Sequence, residues 1–272
     1  MASPKRLGRV LVVAGSDSGG GAGIQADIKT VTVLGGYAAT AITTLTAQNT
    51  EGVQAIHEVP TDFIVRQMEA VLSDIGADAV KIGMLHRAEV IEAVCATLAR
   101  TAPDVPVVVD PVMIAKGGAA LLQPDARAAL RRSLLLIATV LTPNVPEAEE
   151  LVGTRIQDLD AMRAAAASLL TSGPGAVLLK GGHMTGKTVH DLLVTPDGIE
   201  AFESPRIETR HTHGTGCTLS SAIATGLAQG LDLRAAVVRA RAFVRQAILA
   251  APGLGRGHGP LGHGHAVAPF VP

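Results

Sequence analysis

The chain has 272 residues, of which 47% are hydrophobic, 17% charged and 2% aromatic, and its formal net charge at pH 7 is −1. This balance offers neither the basic surface nor the stacking platforms of a nucleic-acid-binding protein. Two cysteines are too few for a disulfide scaffold. No apolar run reaches the roughly 18 residues that span a bilayer, and no signal-peptide cleavage pattern is present. We therefore expect a cytoplasmic protein with no nucleic-acid or membrane partner.

Short aliphatic runs alternate with helical patterns along the first 180 residues. The runs predict strands at residues 9–14, 37–46, 79–82, 107–109, 139–141 and 176–180. Apolar residues at helical spacing predict helices at 22–34, 87–100 and 124–135, and two more that are capped by Thr61 or Asp62 and by Asp158. Such alternation with short links predicts an α/β fold, in which helices cover both faces of a parallel sheet.

The pattern changes after residue 188. Residues 189–194 and 199–202 flank Pro196-Asp197-Gly198, which predicts a hairpin. A helix that begins at Gly216 and a second one at Leu233–Leu249 complete the predicted elements. Because no internal repeat and no long linker divides the chain, we predict a single domain at residues 9–272 after a flexible N-terminus at residues 1–8.

The most informative stretch is HTHGTGCT at residues 211–218, which leads into a helical pattern with one apolar stripe. The first N–H groups of a helix lack intrahelical acceptors, and with the positive end of the helix dipole they form an anion site. Gly214 and Gly216 allow the backbone to approach a ligand closely. A thiol in this turn, Cys217, should favour its thiolate. The segment predicts a phosphate site with a candidate base, although a glycine turn capping a core helix accounts for the same residues.

Residues suited to chemistry follow the ends of the predicted strands. They are Gly15, Asp17, Gln48, Met84, Asp110, Asn144, Glu147 and Lys180. In a parallel sheet these ends lie side by side, so we expect the residues to converge. Asp110, Asn144 and Glu147 supply oxygen ligands of the kind that Mg²⁺ prefers, and Lys180 is placed to meet a phosphate. Each alone is typical of a turn, but together with the anion site they favour phosphoryl transfer from a magnesium nucleotide.

Two further residues bear on the acceptor of the phosphoryl group. The side-chain amide of Gln48 both donates and accepts hydrogen bonds, which complements an amino group beside a ring nitrogen. Asp27 can hold a hydroxyl group. From these residues alone, the preferred interpretation of both is that they are ordinary polar residues of a loop or surface.

The C-terminal sequence GHGPLGHGH contains His258, His263 and His265. Three clustered histidines suggest a metal site, but the Cys or carboxylate spacing of structural zinc sites is missing. We therefore predict a surface tail.

Seven motifs occur in order along the chain. They are GSDSGGGAGIQAD at residues 15–27, AQNT at 47–50, KIGM at 81–84, DPVM at 110–113, TPNVPE at 142–147, KGGH at 180–183 and HGTGC at 213–217. Together they resemble the hydroxymethylpyrimidine/phosphomethylpyrimidine kinases of thiamine biosynthesis, within the ribokinase-like family, and the likeness runs from Val10 to His265. The resemblance implies one three-layer α/β/α domain with a sheet of about eight mostly parallel strands, and a homodimer.

The same resemblance implies an activity and a set of site residues. The reaction is phosphorylation of 4-amino-5-hydroxymethyl-2-methylpyrimidine and then of its monophosphate, with MgATP used twice. The residues implied for the pyrimidine are Gly15, Asp27, Gln48, Met84 and Val112, and those for magnesium are Asp110, Asn144 and Glu147. The residues implied for ATP are Lys180, Thr212, Gly214, Thr215 and Gly216, and those for catalysis are Cys217, Gly214, Gly216 and Lys180.

Two other functions stay open at this point. A branch of the vitamin B6 kinases resembles this family and also uses a cysteine, so pyridoxine or pyridoxal is an alternative acceptor. A catalytically inactive module that senses the pyrimidine is disfavoured, because the polar residues expected of the enzyme are all present. The sequence departs from the family's usual pattern at Ser18 and Thr46, which we expect at the edge of the acceptor pocket.

Overall fold

A computed structural model describes residues 7–114, 118 and 121–268 of the chain. Most of the predicted flexible N-terminus and the last four residues of the predicted domain lie outside these described residues. Across the described ranges, no helix is both long and apolar enough to cross a membrane.

Strands and helices alternate in the N-terminal part of the chain. The elements are β1 (Arg9–Asp17), α1 (Gly23–Val33), β2 (Tyr37–Asn49), β3 (Gly52–Glu58), α2 (Thr61–Asp74), β4 (Ala79–Ile82), α3 (Ala88–Thr101) and β5 (Val107–Val109). The predicted strands and helices of this region are confirmed, with shifted ends. Two further features were not predicted: β2 continues through residues 47–49, and β3 follows it.

The C-terminal part contains more helix. Its elements are α4 (Ala126–Ala129), a π-helical segment (Leu130–Leu134), α5 (Leu135–Ile137), β6 (Val140–Leu141), α6 (Val145–Val152), α7 (Leu159–Thr171), β7 (Val177–Lys180), β8 (Thr188–Thr195), β9 (Gly198–Pro205), α8 (Thr215–Ala228), α9 (Leu233–Leu249) and a 3₁₀ turn (His263–Ala266). Asp158 caps α7 as predicted. Helix α2, in contrast, begins after Pro60 without a side-chain cap, so the predicted caps Thr61 and Asp62 are wrong.

The described strands form one nine-stranded sheet in the order β3-β2-β1-β4-β5-β6-β7-β8-β9. The six strands from β2 to β7 in this order are parallel. Strand β3 pairs antiparallel with β2, and β8 and β9 form the predicted hairpin on the other side. A mostly parallel sheet is therefore confirmed.

Helices cover both faces of this sheet, as the alternation of side chains along β1 illustrates. Val10, Val12 and Ala14 pack into a core with α1, α8 and α9. Leu11 and Val13 point to the opposite face and pack into a second core with α2, α3 and α7. The two cores establish the predicted three-layer α/β/α arrangement.

Helix α8 lies deeper than its sequence pattern indicated. It contacts α1, α9 and strands of the sheet, and even its hydroxyl residues Ser220, Ser221 and Thr225 are buried. The prediction of a single buried stripe is wrong because small side chains allow neighbouring elements to pack around almost the whole helix.

Candidate active site

The loop after β1 is organised around one carboxylate. Asp17 Oδ1 accepts a hydrogen bond from the Gly19 N–H at 2.8 Å, and Oδ2 accepts from the N–H groups of Gly21 and Ala22 at 3.1 and 2.9 Å. Burial alone would raise the pKa of Asp17, but hydrogen bonds from His213 and from this backbone hold the pKa below its ordinary value. Asp17 therefore fixes the glycine loop as a buried carboxylate.

His213 connects this loop to Gln48. Its Nε2 lies 2.8 Å from Asp17 Oδ2 and 3.3 Å from Gln48 Nε2. Ser18 and Thr46, where the sequence departs from the family pattern, also contact Gln48. The Ser18 hydroxyl donates to the Gln48 backbone carbonyl oxygen at 2.8 Å, and Thr46 Oγ1 lies 3.1 Å from Gln48 Oε1. The residue predicted to read the pyrimidine is thus held from several sides.

Helix α8 begins immediately beside the glycine loop. Gly214, its N-cap, has φ +85°, and a Cβ at this position would lie 1.8 Å from the Gly21 carbonyl oxygen. A Cβ on Gly216 would lie 3.1 Å from Asp110 Oδ2 and 3.2 Å from Lys180 Nζ. The free N–H groups of the first turn therefore stand next to a charged pair, where an anionic ligand would meet both.

That charged pair joins the ends of two strands. Lys180 Nζ donates to Asp110 Oδ1 at 3.0 Å. Burial would lower the pKa of Lys180, but the charges of Asp110 and Glu147 outweigh burial and raise it. Lys180 is therefore a permanent cation at the C-terminal edge of the sheet, as its predicted phosphate contact requires.

Asn144 and Glu147 form a capping box at the start of α6, which the sequence analysis missed as a helix. Asn144 Oδ1 accepts from the Glu147 N–H at 2.9 Å, and Glu147 Oε2 accepts from the Asn144 N–H at 2.8 Å. Burial and the charge of Asp110 raise the pKa of Glu147 to about 7, against the influence of Lys180. Because its surroundings oppose ionisation of this carboxyl group, a cation bound beside it would stabilise the carboxylate.

The magnesium prediction can be tested against this donor set. Among the residues that the structure describes, no three His, Cys, Asp or Glu side chains are grouped closely enough to hold a metal ion. Asn144 is already occupied as a cap. The pair Asp110 and Glu147 fits Mg²⁺ that keeps several waters and also binds substrate phosphates, because Mg²⁺ is commonly held by one or two carboxylates.

Cys217 lies partly buried in the first turn of α8. Burial and the charges of Asp27 and Asp110 raise the pKa of its thiol to about 12, although Lys81 and a hydrogen bond from the Gly23 backbone act to lower it. The prediction that the helix N-terminus favours a thiolate is therefore wrong: desolvation and two carboxylates outweigh the helix dipole.

Asp27 is completely buried. Its Oδ2 accepts from Lys81 Nζ at 2.9 Å, and its Oδ1 accepts from the Ser221 hydroxyl at 2.7 Å. Because both carboxylate oxygens are engaged beneath α8, the geometry differs from the expectation that Asp27 holds a substrate hydroxyl directly.

The remaining predicted residues lie around the same edge of the sheet. Gly15 and Met84 are neighbours, since a Cβ on Gly15 would lie 3.4 Å from Met84 Sδ. Val112 is half-buried two residues beyond Asp110. Thr215 Oγ1 donates to the Thr212 carbonyl at 2.7 Å, which closes the turn before α8.

The C-terminal segment, residues 254–263, is a strap packed across the site rather than a surface tail. The His258 N–H donates to the Thr50 carbonyl at 2.8 Å at the tip of the β2–β3 hairpin, and the His213 N–H donates to Gly259 at 3.2 Å. His263 Nε2 lies 2.8 Å from the Thr218 hydroxyl. His263 is 4% exposed, and burial lowers its pKa to about 4. His258 is exposed, as is His265 beyond the strap.

Lys81, Ser221 and His213 were given no individual role from the sequence, although Lys81 and His213 lie in quoted motifs, and His263 was placed in a surface tail. Lys81 offered a signal, because a lysine between apolar residues in a short buried strand needs a charged partner. Its partner Asp27 lies 54 positions away, and nothing local in the sequence identifies it.

The phosphomethylpyrimidine kinase family matches residues 17–262. The chain belongs to this family.

Two curated relatives are particularly similar. A hydroxymethylpyrimidine/phosphomethylpyrimidine kinase of Streptomyces coelicolor is 49% identical over 258 residues, covering 95% of each chain. The thiamine biosynthesis bifunctional protein ThiED of Geobacter sulfurreducens is 53% identical over 261 residues, which are 96% of this chain. This chain spans only 53% of that longer protein.

Solved structures support the ribokinase-like fold. A phosphomethylpyrimidine kinase from Clostridium difficile is 42% identical with a TM-score of 0.79, covering 88% of this chain and 99% of that one. An ADP complex of Bacillus subtilis pyridoxal kinase is 35% identical with a TM-score of 0.88, covering 95% and 98%. Kinases named for either acceptor therefore share this architecture.

Proposed function

We propose that the protein is an ATP-dependent kinase of thiamine biosynthesis. It phosphorylates 4-amino-5-hydroxymethyl-2-methylpyrimidine to the monophosphate and then to the diphosphate. The observation that carries the reaction class is the start of α8, where Gly216 lies against the Asp110–Lys180 pair and Cys217 follows. The choice of acceptor is supported by the kinase of Streptomyces coelicolor, which matches 95% of this chain.

The nucleotide binds by its phosphates at the first turn of α8. Thr212, Gly214, Thr215 and Gly216 surround the anion, and Lys180 contacts the transferred group. Asp110 and Glu147 would hold Mg²⁺, with Asn144 fixing the segment that carries Glu147, and the ion would supply positive charge against the phosphates. In phosphoryl transfer the protein acts chiefly by positioning groups and neutralising charge, which suits this arrangement.

The pyrimidine lies between Gln48, Gly15, Met84 and Val112. In the first step the hydroxymethyl oxygen attacks the γ-phosphorus, the bond from phosphorus to the ADP oxygen breaks, and the hydroxyl proton passes to Cys217, whose thiol must first ionise against its raised pKa. In the second step the acceptor is a phosphate oxygen that is already deprotonated, so a base is not needed. Asp27 lies beneath the pyrimidine pocket and does not contact the substrate.

A second candidate is a pyridoxal kinase, which is favoured by the TM-score of 0.88 to the Bacillus subtilis enzyme. ATP turnover by the purified protein, with product phosphates counted, separates the two. We expect two phosphates on the pyrimidine and a lower kcat/KM on pyridoxal. A much higher kcat/KM on pyridoxal would assign the protein to the second candidate.

We also propose, from the resemblance, that the protein is a homodimer located in the cytoplasm. Light scattering on the eluting protein measures the first property. Fractionation of cells measures the second.

A further inference from the structure

Two helices meet beneath the reacting centre through residues one turn apart. On α1 these are Gly23 and Asp27, and on α8 they are Cys217 and Ser221. Residues at this spacing lie on one face of a helix. At the start of the two helices a Cβ on Gly214 would lie 3.3 Å from the Ala22 Cα, and one turn further on the Ser221 hydroxyl donates to Asp27. The contact between α1 and α8 therefore places Asp27 one helical turn below the thiol.

Lys81 completes this cluster from the sheet. It lies on β4, is fully buried, and donates to Asp27 at 2.9 Å. Its ammonium group occupies a space that requires glycine nearby, because a Cβ on Gly83 would lie 2.9 Å from Lys81 Nζ. A cation enclosed in this way acts on its neighbours through a medium of low dielectric, where its effect is large.

Charged groups face Cys217 from four elements. Asp27 belongs to α1, Lys81 to β4 and Lys180 to β7, and Asp110 follows β5. Lys180 and Asp110 pair with each other at the surface where phosphate is expected. Lys81 and Asp27 lie below the thiol, beyond reach of substrate or solvent, and the proposed reaction gives neither of them a direct part.

We propose that the buried Lys81–Asp27 pair controls the protonation of Cys217. Lys81 supplies the positive charge that supports the thiolate, and Asp27 holds Lys81 in place while opposing the thiolate. Both are positioning residues, since neither touches substrate. The inference rests on the proposed role of Cys217 as the base of the first phosphorylation, but its effect on the thiol is measurable separately.

A purely structural role for the pair makes a different prediction. A buried ion pair that serves only packing loses stability when either partner is removed, and the thiol would respond in the same direction both times. Electrostatic control requires opposite responses. Removing Lys81 should make the thiolate harder to form, whereas removing Asp27 should make it easier.

The experiment measures the pH dependence of Cys217 alkylation by iodoacetamide, without substrate and in a Cys95→Ala background. At a fixed pH below the thiol pKa, we expect alkylation to be about tenfold slower or more in Lys81→Met and faster in Asp27→Asn, because one unit of pKa is a tenfold change in thiolate. The rate of the first phosphorylation should fall about tenfold or more for Lys81→Met, with a smaller loss in the second.

The double variant Asp27→Asn/Lys81→Met guards against misfolding of the single variants. Replacing a buried pair by neutral side chains of similar size is often tolerated. We expect it to fold, by thermal melting and circular dichroism, and to carry out the first step at a rate between those of the two single variants. A double variant as slow as Lys81→Met, or profiles that move together in the single variants, would overturn the inference. If the alkylation profiles of the single variants shifted in opposite directions but the rate of the first phosphorylation did not change, the pair would control the thiol and Cys217 would not be the base.

Discussion

Position 214 requires glycine for two separate reasons. Its φ is +85°, and a Cβ there would lie 1.8 Å from the Gly21 carbonyl oxygen. Gly230 has the same φ of +85° but no atom within 4 Å of its Cβ position. An L-residue in this conformation costs roughly 1–2 kcal/mol. We expect Gly230→Ala to lose about that much stability and keep its activity.

Gly214→Ala should lose more, because the Cβ also displaces the glycine loop from the start of α8. We expect kcat to fall more than tenfold with a larger decrease in Tm, measured by turnover and thermal melting beside Gly230→Ala. If the two variants had the same kcat and the same Tm, the glycine loop would accommodate the Cβ without disturbing the site.

Cys217→Ala tests the base directly. A general base contributes about 10²–10⁴ in rate, so the first phosphorylation should fall by that range while the KM for ATP changes little. The second phosphorylation should fall distinctly less, because its acceptor oxygen needs no deprotonation.

The control for this variant is Cys95→Ala. Cys95 lies in the opposite core, and burial raises the pKa of its thiol to about 11. It should leave both steps near the wild-type rate. If Cys217→Ala slowed both steps equally, its side chain would serve packing or the anion site instead.

The individual residues show what sequence can and cannot provide. Asp110 and Lys180 were expected to converge, with the other strand-end residues, because each stands at the end of a strand of the same parallel sheet, and they lie 3.0 Å apart. The thiol pKa of Cys217 was predicted in the wrong direction, because the carboxylates that oppose ionisation come from α1 and from the end of β5. Charges that tertiary packing brings together cannot be recognised from the spacing of residues along the sequence.

Among the elements, the N-caps of α6 and α7 make a matched pair. Asn144 accepts from the N3 backbone of α6, and Asp158 accepts from Ala161 of α7 at 2.8 Å. Replacement of an N-cap by alanine costs about 1 kcal/mol. We expect Asn144→Ala and Asp158→Ala to lose similar stability in denaturant unfolding.

Only Asn144→Ala should also raise the KM for MgATP, severalfold, because it releases the segment that carries Glu147. Steady-state kinetics at limiting Mg²⁺ measures this. A comparable rise in Asp158→Ala would attribute the effect to general loosening of the fold.

Helix α6 and strand β3 show why some elements escaped prediction. Helix α6 has eight residues, and its capping residues had already been interpreted as metal ligands, so the segment looked like a loop. Strand β3 carries polar and exposed residues at a sheet edge, where packing imposes no clear alternation. Long, buried elements such as β1 and α9 were predicted well because the cores they pack against dictate their pattern.

For the whole molecule, His263 couples stability to pH. Its pKa is about 4 in the folded chain, below the ordinary value of 6.5, because of burial. Between pH 6.5 and 4, His263 therefore binds a proton in the unfolded chain but not in the folded chain. Stability should fall as pH decreases from 6.5 to 4, by up to about 3 kcal/mol from this group, since one unit is worth about 1.4 kcal/mol.

His263→Gln should remove this part of the pH dependence, which thermal melting between pH 4 and 7 would reveal as a flatter profile. His258→Gln, at an exposed position of the same strap, serves as the control and should follow the wild type. An unchanged slope in His263→Gln would assign the acid sensitivity to other groups.

The strap has a consequence for synthesis of the protein. Gly21 of the first loop lies against Pro260, and Gly259 accepts from His213. A ribosome adds about 5–20 residues per second, so the loop that emerges first waits on the order of 10–50 s for the residues that cover it. Most of the sheet can assemble during that interval, but the pocket cannot. A chain released a few residues short of Pro260 would therefore be folded over most of its length and lack a finished pocket.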